Sequence, residues 1–284
     1  MRGRVSVARQ FRRVHRGRGW RLYSGVAAVV ALALVVACAT TGPGKRDIIL
    51  ISTPQEVAIG QQVVGQVEQE ERVLNDPVVN AYLSRVGSRV VQVCDRPKLA
   101  YTFKALESDE INAFAVPGGF VYVYTGLMKE LGNEAQLAAV LGHEVAHIVA
   151  RHSIKKLQQI YGYSLLLELA GGKEISPAAR LIADVGATLI LQGYSRDNEF
   201  EADEYGTLYA YRAGYTPDGM VELLETFQDL DQSRHTFIEQ LLATHPPVPD
   251  RIERVEEEIG TFPASALTLP DHAAEYVDIR SRLP

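Results

Sequence analysis

The sequence predicts an α+β fold in which a mostly helical body carries one small antiparallel β-sheet. Three observations predict it. Apolar residues recur at helical spacing over residues 54–75 and 77–93, and each run opens on a proline. Residues 100–126 are instead rich in aromatic and β-branched side chains, the composition of strands. From Asn133 onward the helical spacing returns and persists. Strands followed by a long run of helices, rather than alternating with them, form a sheet packed on a helical body.

Ahead of these elements the composition differs. Residues 1–24 hold eight arginines and no acid, and residues 25–38, GVAAVVALALVVAC, are all apolar or small. A basic stretch followed by about a dozen apolar residues is the layout of a secretory signal, and is short for a membrane-spanning helix, which needs about 20. Residues 1–37 are therefore read as a signal peptide. Val35–Cys38 resembles a bacterial lipobox, which makes Cys38 a lipidated mature N-terminus and residues 38–52 a tether to the membrane. Ala39 lacks the aspartate of inner-membrane retention, so the expected anchor is the outer membrane and the expected compartment the periplasm. An arginine-rich, acid-poor leader also fits a mitochondrial presequence, which leaves the mitochondrial inner membrane as the alternative.

Without the leader the chain holds 21 basic and 35 acidic side chains, a net charge of −14. Phosphate binding needs clustered positive charge, so nucleic acid is excluded as a partner. Cys94 is the only other cysteine. The body therefore has no internal disulfide and no cysteine-based metal site, and Cys94 is expected as a small buried hydrophobe.

Within the body, 100–108 and 111–126 are predicted strands, the second broken by a turn at Pro117-Gly118-Gly119 and resumed over Phe120–Tyr124. Asn133 and Gln136 resemble a capping box, opening a helix expected to run through to Ile160. Gly171-Gly172 marks a break, Ser176-Pro177 opens another helix, and Gly193 closes it. The apolar segment 181–192 is short and carries an aspartate, so it reads as core. Residues 217–230 and 247–259 complete the predicted helices.

The central helix contains HEVAH, residues 143–147. Residues four apart share a helical face, so His143 and His147 offer two imidazole nitrogens to one metal ion. Glu144, turned about 100° from His143, faces a water held by that ion. This is the pattern in which two histidines bind zinc and a glutamate serves as base. The flanking Ala138–Leu141 and Val145, Ala146, Ile148 and Val149 imply a buried helix, where two histidines and a glutamate are costly without partners.

A catalytic zinc takes three protein ligands and keeps one position open. His152 is about 140° around a continuous helix from His147 and so is poorly placed to be the third. That ligand is expected from a carboxylate on a later helix. SRDNEFEADEYG, residues 195–206, holds five acids. Glu199 and Asp203 share a face, whereas Glu201 lies about 200° from Glu199. One of the pair binds the metal and the other accepts the remaining N–H of a ligating histidine, fixing its tautomer. Glu199 is the expected ligand and Asp203 its partner; spacing alone leaves Glu201 as the alternative. Asp197, Glu201 and Glu204 are otherwise expected to be solvated.

HEVAH and NEFEAD, with NAFAVPGGFVYVYTGLM ahead of them and THPPVPDRI behind, resemble the gluzincin-type zinc peptidases that include the CAAX prenyl proteases and the HtpX-type membrane peptidases. The resemblance covers residues 50–260. Its E-x-x-A-D pattern falls on Glu199, Ala202 and Asp203, which favours Glu199 over Glu201. It implies a zincin-like metallopeptidase domain over 53–262 with a C-terminal tail at 263–284, one Zn2+ per chain, and endopeptidase activity. The many membrane spans of the prenyl proteases are missing. That points to the soluble periplasmic branch, often lipoproteins, which acts in quality control of outer-membrane proteins. The expected substrates are then misfolded or misassembled envelope proteins.

The expected mechanism follows from these parts. Zinc activates a water, and Glu144 moves its proton to the leaving amine. The strand GFVYVY either pairs with an extended peptide or is core sheet. His245, before Pro246-Pro247, either occupies the open position of the zinc, as the resemblance implies, or donates to the oxyanion. The alternative function is a chaperone-like periplasmic module that grips extended segments of outer-membrane proteins with little proteolysis. An intact Glu144 favours the enzyme, because a structural metal site needs no base.

Overall fold

The computed structural model describes residues 49, 51–160, 193–245 and 250–284, the side chains of 234–237 and 240 excepted. The predicted signal peptide, Cys38 and most of the tether lie outside the described residues. So do the Gly171-Gly172 break, the helix opened at Ser176-Pro177, the 181–192 segment and Pro246-Pro247.

Helix α1 (Thr53–Glu70) opens where the Ser52 N–H donates to Gln55 Oε1 at 2.8 Å. Helix α2 (Pro77–Val93) has the predicted bounds, fixed by Pro77 in its first turn and by Asp76, whose carboxylate accepts from the N–H groups of Val78 and Val79. Strands β1 (Thr102–Leu106), β2 (Ala113–Val116) and β3 (Phe120–Tyr124) follow. The turn between β2 and β3 falls on Gly118 and Gly119, whose φ angles of 86° and 108° suit glycine.

The sheet is mixed, not antiparallel as predicted. β2 and β3 form an antiparallel hairpin, but β1 pairs with the far edge of β3 and runs parallel to it, giving the order β1-β3-β2. Composition marks that strands exist; it does not record on which edge the first strand docks. GFVYVY is thus the central strand, paired on both sides, and takes the core role rather than the peptide-pairing one.

Helix α1 covers one face of the sheet, setting Val63 and Val67 against Phe114, Val116 and Tyr122. The other face belongs to the main core, which includes α2 and α4. Cys94 is buried in that core, as expected. After the short α3 (Thr125–Glu130) comes α4 (Glu134–Ala150), buried along its whole length. Asn133 caps it by accepting from the Gln136 N–H at 2.8 Å, while Gln136 reaches back to the Gly132 N–H, one residue earlier than a capping box requires. The helix does not continue to Ile160. Arg151 takes a left-handed conformation, φ 58° and ψ 38°, and residues 152–160 are helical on a new axis.

Helix α5 (Arg196–Arg212) is opened by Ser195, and α6 (Asp218–Thr244) runs well past its predicted end at 230. Helix α7 (Arg251–Ile259), a 3-10 turn (Ala264–Thr268) and α8 (Ala273–Arg280) finish the chain. The C-terminal tail, residues 263–284, packs on the body. Tyr276 is buried, its hydroxyl donating to the Met128 carbonyl at 2.7 Å, and Ile279 joins the core. Two core residues on an eight-residue helix leave too short a periodic signal to read. No helix among the described residues is long and apolar enough to cross a membrane.

Helices α4 and α5 approach each other closely enough for their backbones to touch. At their crossing, a Cβ placed on Gly206 would fall 2.8 Å from the His143 backbone nitrogen, and one on Gly142 would fall 2.7 Å from the Gly206 carbonyl oxygen. Gly65 on α1 has open space around it. Gly→Ala in a helix gains about 0.5–1 kcal/mol when nothing opposes it, and overpacking costs about 1–3 kcal/mol. Gly65→Ala should therefore stabilise the protein and Gly206→Ala destabilise it, with opposite shifts of the denaturant midpoint at an unchanged m-value.

Candidate metal centre

His143 and His147 lie one turn apart on α4 and aim their Nε2 atoms at a common point, 3.0 Å from each other. Helix α5 brings Glu199 to that point, its two oxygens each 3.6 Å from one Nε2. The end of α6 adds His245, whose Nδ1 is 3.2 Å from Glu199 Oε2 and 3.3 Å from His143 Nε2. These four buried side chains offer ligand atoms that all lie within 4.8 Å of one another. Three elements far apart in sequence thus converge on one place.

Each ring on α4 has its other nitrogen engaged. Asp203, one turn beyond Glu199, meets His143 Nδ1 at 3.0 Å. His147 Nδ1 meets His152 Nδ1 at 2.8 Å, and His152 Nε2 lies 3.4 Å from Glu201 Oε2. Arg251 of α7 donates to both oxygens of Asp203, at 2.6 and 2.7 Å, and approaches Glu199 at 3.3 Å. Tyr194 stacks on the His147 ring with centroids 4.0 Å apart. Glu144 is buried beside the group, with Oε1 3.5 Å from His245 Nε2 and Oε2 without a hydrogen-bond partner among the described residues. Ala113 of β2 lines the same cavity as Glu144.

The electrostatics follow from burial and neighbours. Burial pushes Glu144 above the usual carboxylate range, against the pull of His245 and His143. His147 is held well below its ordinary value, chiefly by burial and then by the surrounding histidines, so its ring is neutral. Burial opposes ionisation of Asp203, but Arg251 and His143 outweigh it and hold the carboxyl down to about 2. For His245, burial is outweighed by Glu199 and Glu144, which lift it to about 9.

Converging nitrogen lone pairs, an anionic oxygen pair and engaged outer nitrogens fit a divalent cation with nitrogen and oxygen ligands. The sequence-predicted His143, His147, Glu199, Asp203, Glu144 and His245 all meet here. Glu201 does not bind at this point, yet neither is it solvated as expected: its side chain is 12% exposed and faces His152. Asp197 and Glu204 are exposed. Sequence reasoning missed three contributors. Arg251 stood inside the THPPVPDRI stretch without a sign of which element it faced. Tyr194 had no motif. His152 was set aside by helical geometry that the break at Arg151 invalidates.

The model of peptidase family M48 matches residues 77–259. The chain belongs to that family. Within family M48 and its relatives, it is similar to the beta-barrel assembly-enhancing protease of Escherichia coli (strain K12), 32% identical over 217 residues, or 71% of this chain and 43% of that protein. It is 32% identical over 178 residues to the mitochondrial metalloendopeptidase OMA1 of Schizosaccharomyces pombe, 62% of this chain and 52% of that one. It is 28% identical over 162 residues to the Escherichia coli metalloprotease YcaL, 56% and 62% of the two chains. The chain spans less than half the length of the beta-barrel assembly-enhancing protease. Two imidazoles with one carboxylate are the ligand chemistry of a catalytic zinc.

In protein stripped of metal, the depressed pKa of Asp203 stabilises the fold. That contribution is complete above the ordinary value of 3.8 and disappears as pH falls through about 2. Asp203→Asn should therefore flatten the stability profile between pH 4 and 2, measured by denaturant unfolding in chelator. A profile as steep as wild type would place the acid sensitivity elsewhere.

Proposed function

We propose that this protein is a zinc-dependent endopeptidase that cuts extended segments of misfolded or misassembled cell-envelope proteins. The observation that carries the reading is the buried convergence of His143, His147 and Glu199 with Glu144 beside them. The name of the Escherichia coli relative, a beta-barrel assembly-enhancing protease, supports the substrate class.

His143, His147 and Glu199 would hold zinc, which when bound would supply a water of near-neutral pKa and a Lewis acid for the scissile carbonyl. Glu144 takes the proton from the attacking water and delivers it to the amide nitrogen as the C–N bond breaks. Burial raises its carboxyl above the usual range, which makes it a stronger base for that exchange. The edge strand β2, whose Ala113 lines the same cavity as Glu144, would hold an extended peptide by backbone pairing in place of β3. Asp203 and Arg251 keep His143 in register.

His245 lies where a fourth ligand would stand, 3.2 Å from Glu199 and 3.3 Å from His143. That position supports an inhibitory plug over an oxyanion donor, because there His245 would take the place a catalytic zinc keeps for water. A peptide must then displace it, which protects folded neighbours from cleavage.

For location, the leader supports lipidation at Cys38 and an outer-membrane anchor facing the bacterial periplasm. The likeness to OMA1 favours a second reading, a mitochondrial inner-membrane peptidase with the same catalytic parts. Mass spectrometry of the mature N-terminus separates them: a diacylated Cys38 supports the first and its absence the second.

Glu144→Gln should keep stoichiometric zinc while cleavage of an unstructured peptide falls about 100- to 10,000-fold, the usual share of a general base, and should trap uncut envelope proteins. Zinc retained with full cleavage would end the assignment. His245→Ala should raise basal peptide cleavage. A zinc-loaded, folded His245→Ala enzyme slowed by about 100- to 1000-fold would instead establish the oxyanion role.

A further inference from the structure

His152 has no place in the peptide-cleaving reaction, yet it is buried and touches a ligand. His147 presents Nε2 to the metal point, so a neutral ring must carry its proton on Nδ1. That N–H needs an acceptor, and His152 Nδ1 stands 2.8 Å away. To accept there, His152 must itself be protonated on Nε2. The group that Nε2 faces is Glu201 Oε2, at 3.4 Å, a carboxylate that can only accept. Each contact in turn leaves a single protonation pattern.

The left-handed turn at Arg151 makes this contact available. Arg151 is anchored by Glu56, whose Oε2 is 2.9 Å from Arg151 Nε, and by the Ile51 carbonyl, which accepts from Nη2 at 2.5 Å. The turn carries His152 beneath His147 instead of about 140° away from it.

We propose that His152 and Glu201 are positioning residues that fix the Nδ1-protonated tautomer and the ring orientation of His147, through the chain Glu201–His152–His147. The proposal rests on the zinc reading, and its test separates the two. Zinc affinity would be measured on the full chain by competition with a chelator. His152→Leu removes the acceptor, whereas His152→Asn keeps an oxygen near the place of Nδ1. His152→Leu should weaken zinc binding about 10- to 100-fold, the usual effect of losing such a partner, and His152→Asn should restore most of it. Glu201→Leu should weaken binding less than His152→Leu, and Glu201→Gln, which retains an accepting oxygen, should stay near wild type. Nitrogen-15 imidazole spectra of the zinc-loaded wild type should show His147 protonated on Nδ1 and His152 on Nε2. A wild type that binds no zinc overturns the metal reading and this proposal with it. Wild-type zinc binding that survives His152→Leu, or falls equally in the Leu and Asn variants, overturns the proposal alone. Denaturant unfolding of the metal-free variants guards against misreading a folding defect, since His152→Asn and His152→Leu must be compared at matched stability.

Discussion

At Gly142 and Gly206 the backbones of α4 and α5 touch, and the whole metal group is assembled across that contact. The two histidines stand on one helix, and the carboxylates that face them stand on the other. A side chain at either glycine would separate the helices by about the width of a methyl group, more than a ligand sphere with bond lengths near 2.0–2.3 Å tolerates. Close packing of this kind transmits shape because an interior has little room to adjust. The rest of the fold serves this crossing: the sheet, α2 and α6 wrap α4 so completely that every one of its residues is buried.

Burial of that degree makes the charge balance strict. Glu144, Glu199 and Asp203 are carboxylates with almost no exposure, and Arg251 is the guanidinium buried among them. Their formal sum is −2. Unpaired buried charge is expensive, so the group calls for positive charge, which a divalent cation would supply. The same imbalance explains why Glu199 and Glu144 lift His245 so far. One electrostatic deficit therefore accounts both for the affinity of the place for a metal and for the attraction of a fourth histidine to it.

Much of this was legible in the sequence because it rests on short-range helical geometry. His143 and His147 at a spacing of four, and Glu199 and Asp203 at the same spacing, report their shared faces without any knowledge of the fold. The helix of residues 77–93 was equally plain, since a proline marks its start. The features that stayed hidden depend on tertiary partners. Nothing local tells β1 to dock on β3 rather than β2, or tells Arg251 that Asp203 lies opposite. The last helix was overlooked because its two core residues, Tyr276 and Ile279, make no periodic pattern.

The failure at His152 is the most instructive, because the rule applied to it was sound and its premise was not. Residues 134–160 read as one helix, and on one helix His152 cannot approach His147. The unbroken helix gives way at Arg151, whose left-handed backbone accompanies its ion pair with the buried Glu56 of α1. Arg96 joins them, donating to Glu56 at 3.0 Å and to the Ile148 carbonyl at 2.9 Å, so the C-terminal end of α4 is closed by side chains rather than by another turn. A left-handed non-glycine residue costs about 1–3 kcal/mol. The buried ion cluster bears that cost, and the return is a histidine delivered to the back of a metal ligand. The N-terminal helix, about ninety residues upstream and outside the metal group, thereby sets how one of its imidazoles is held.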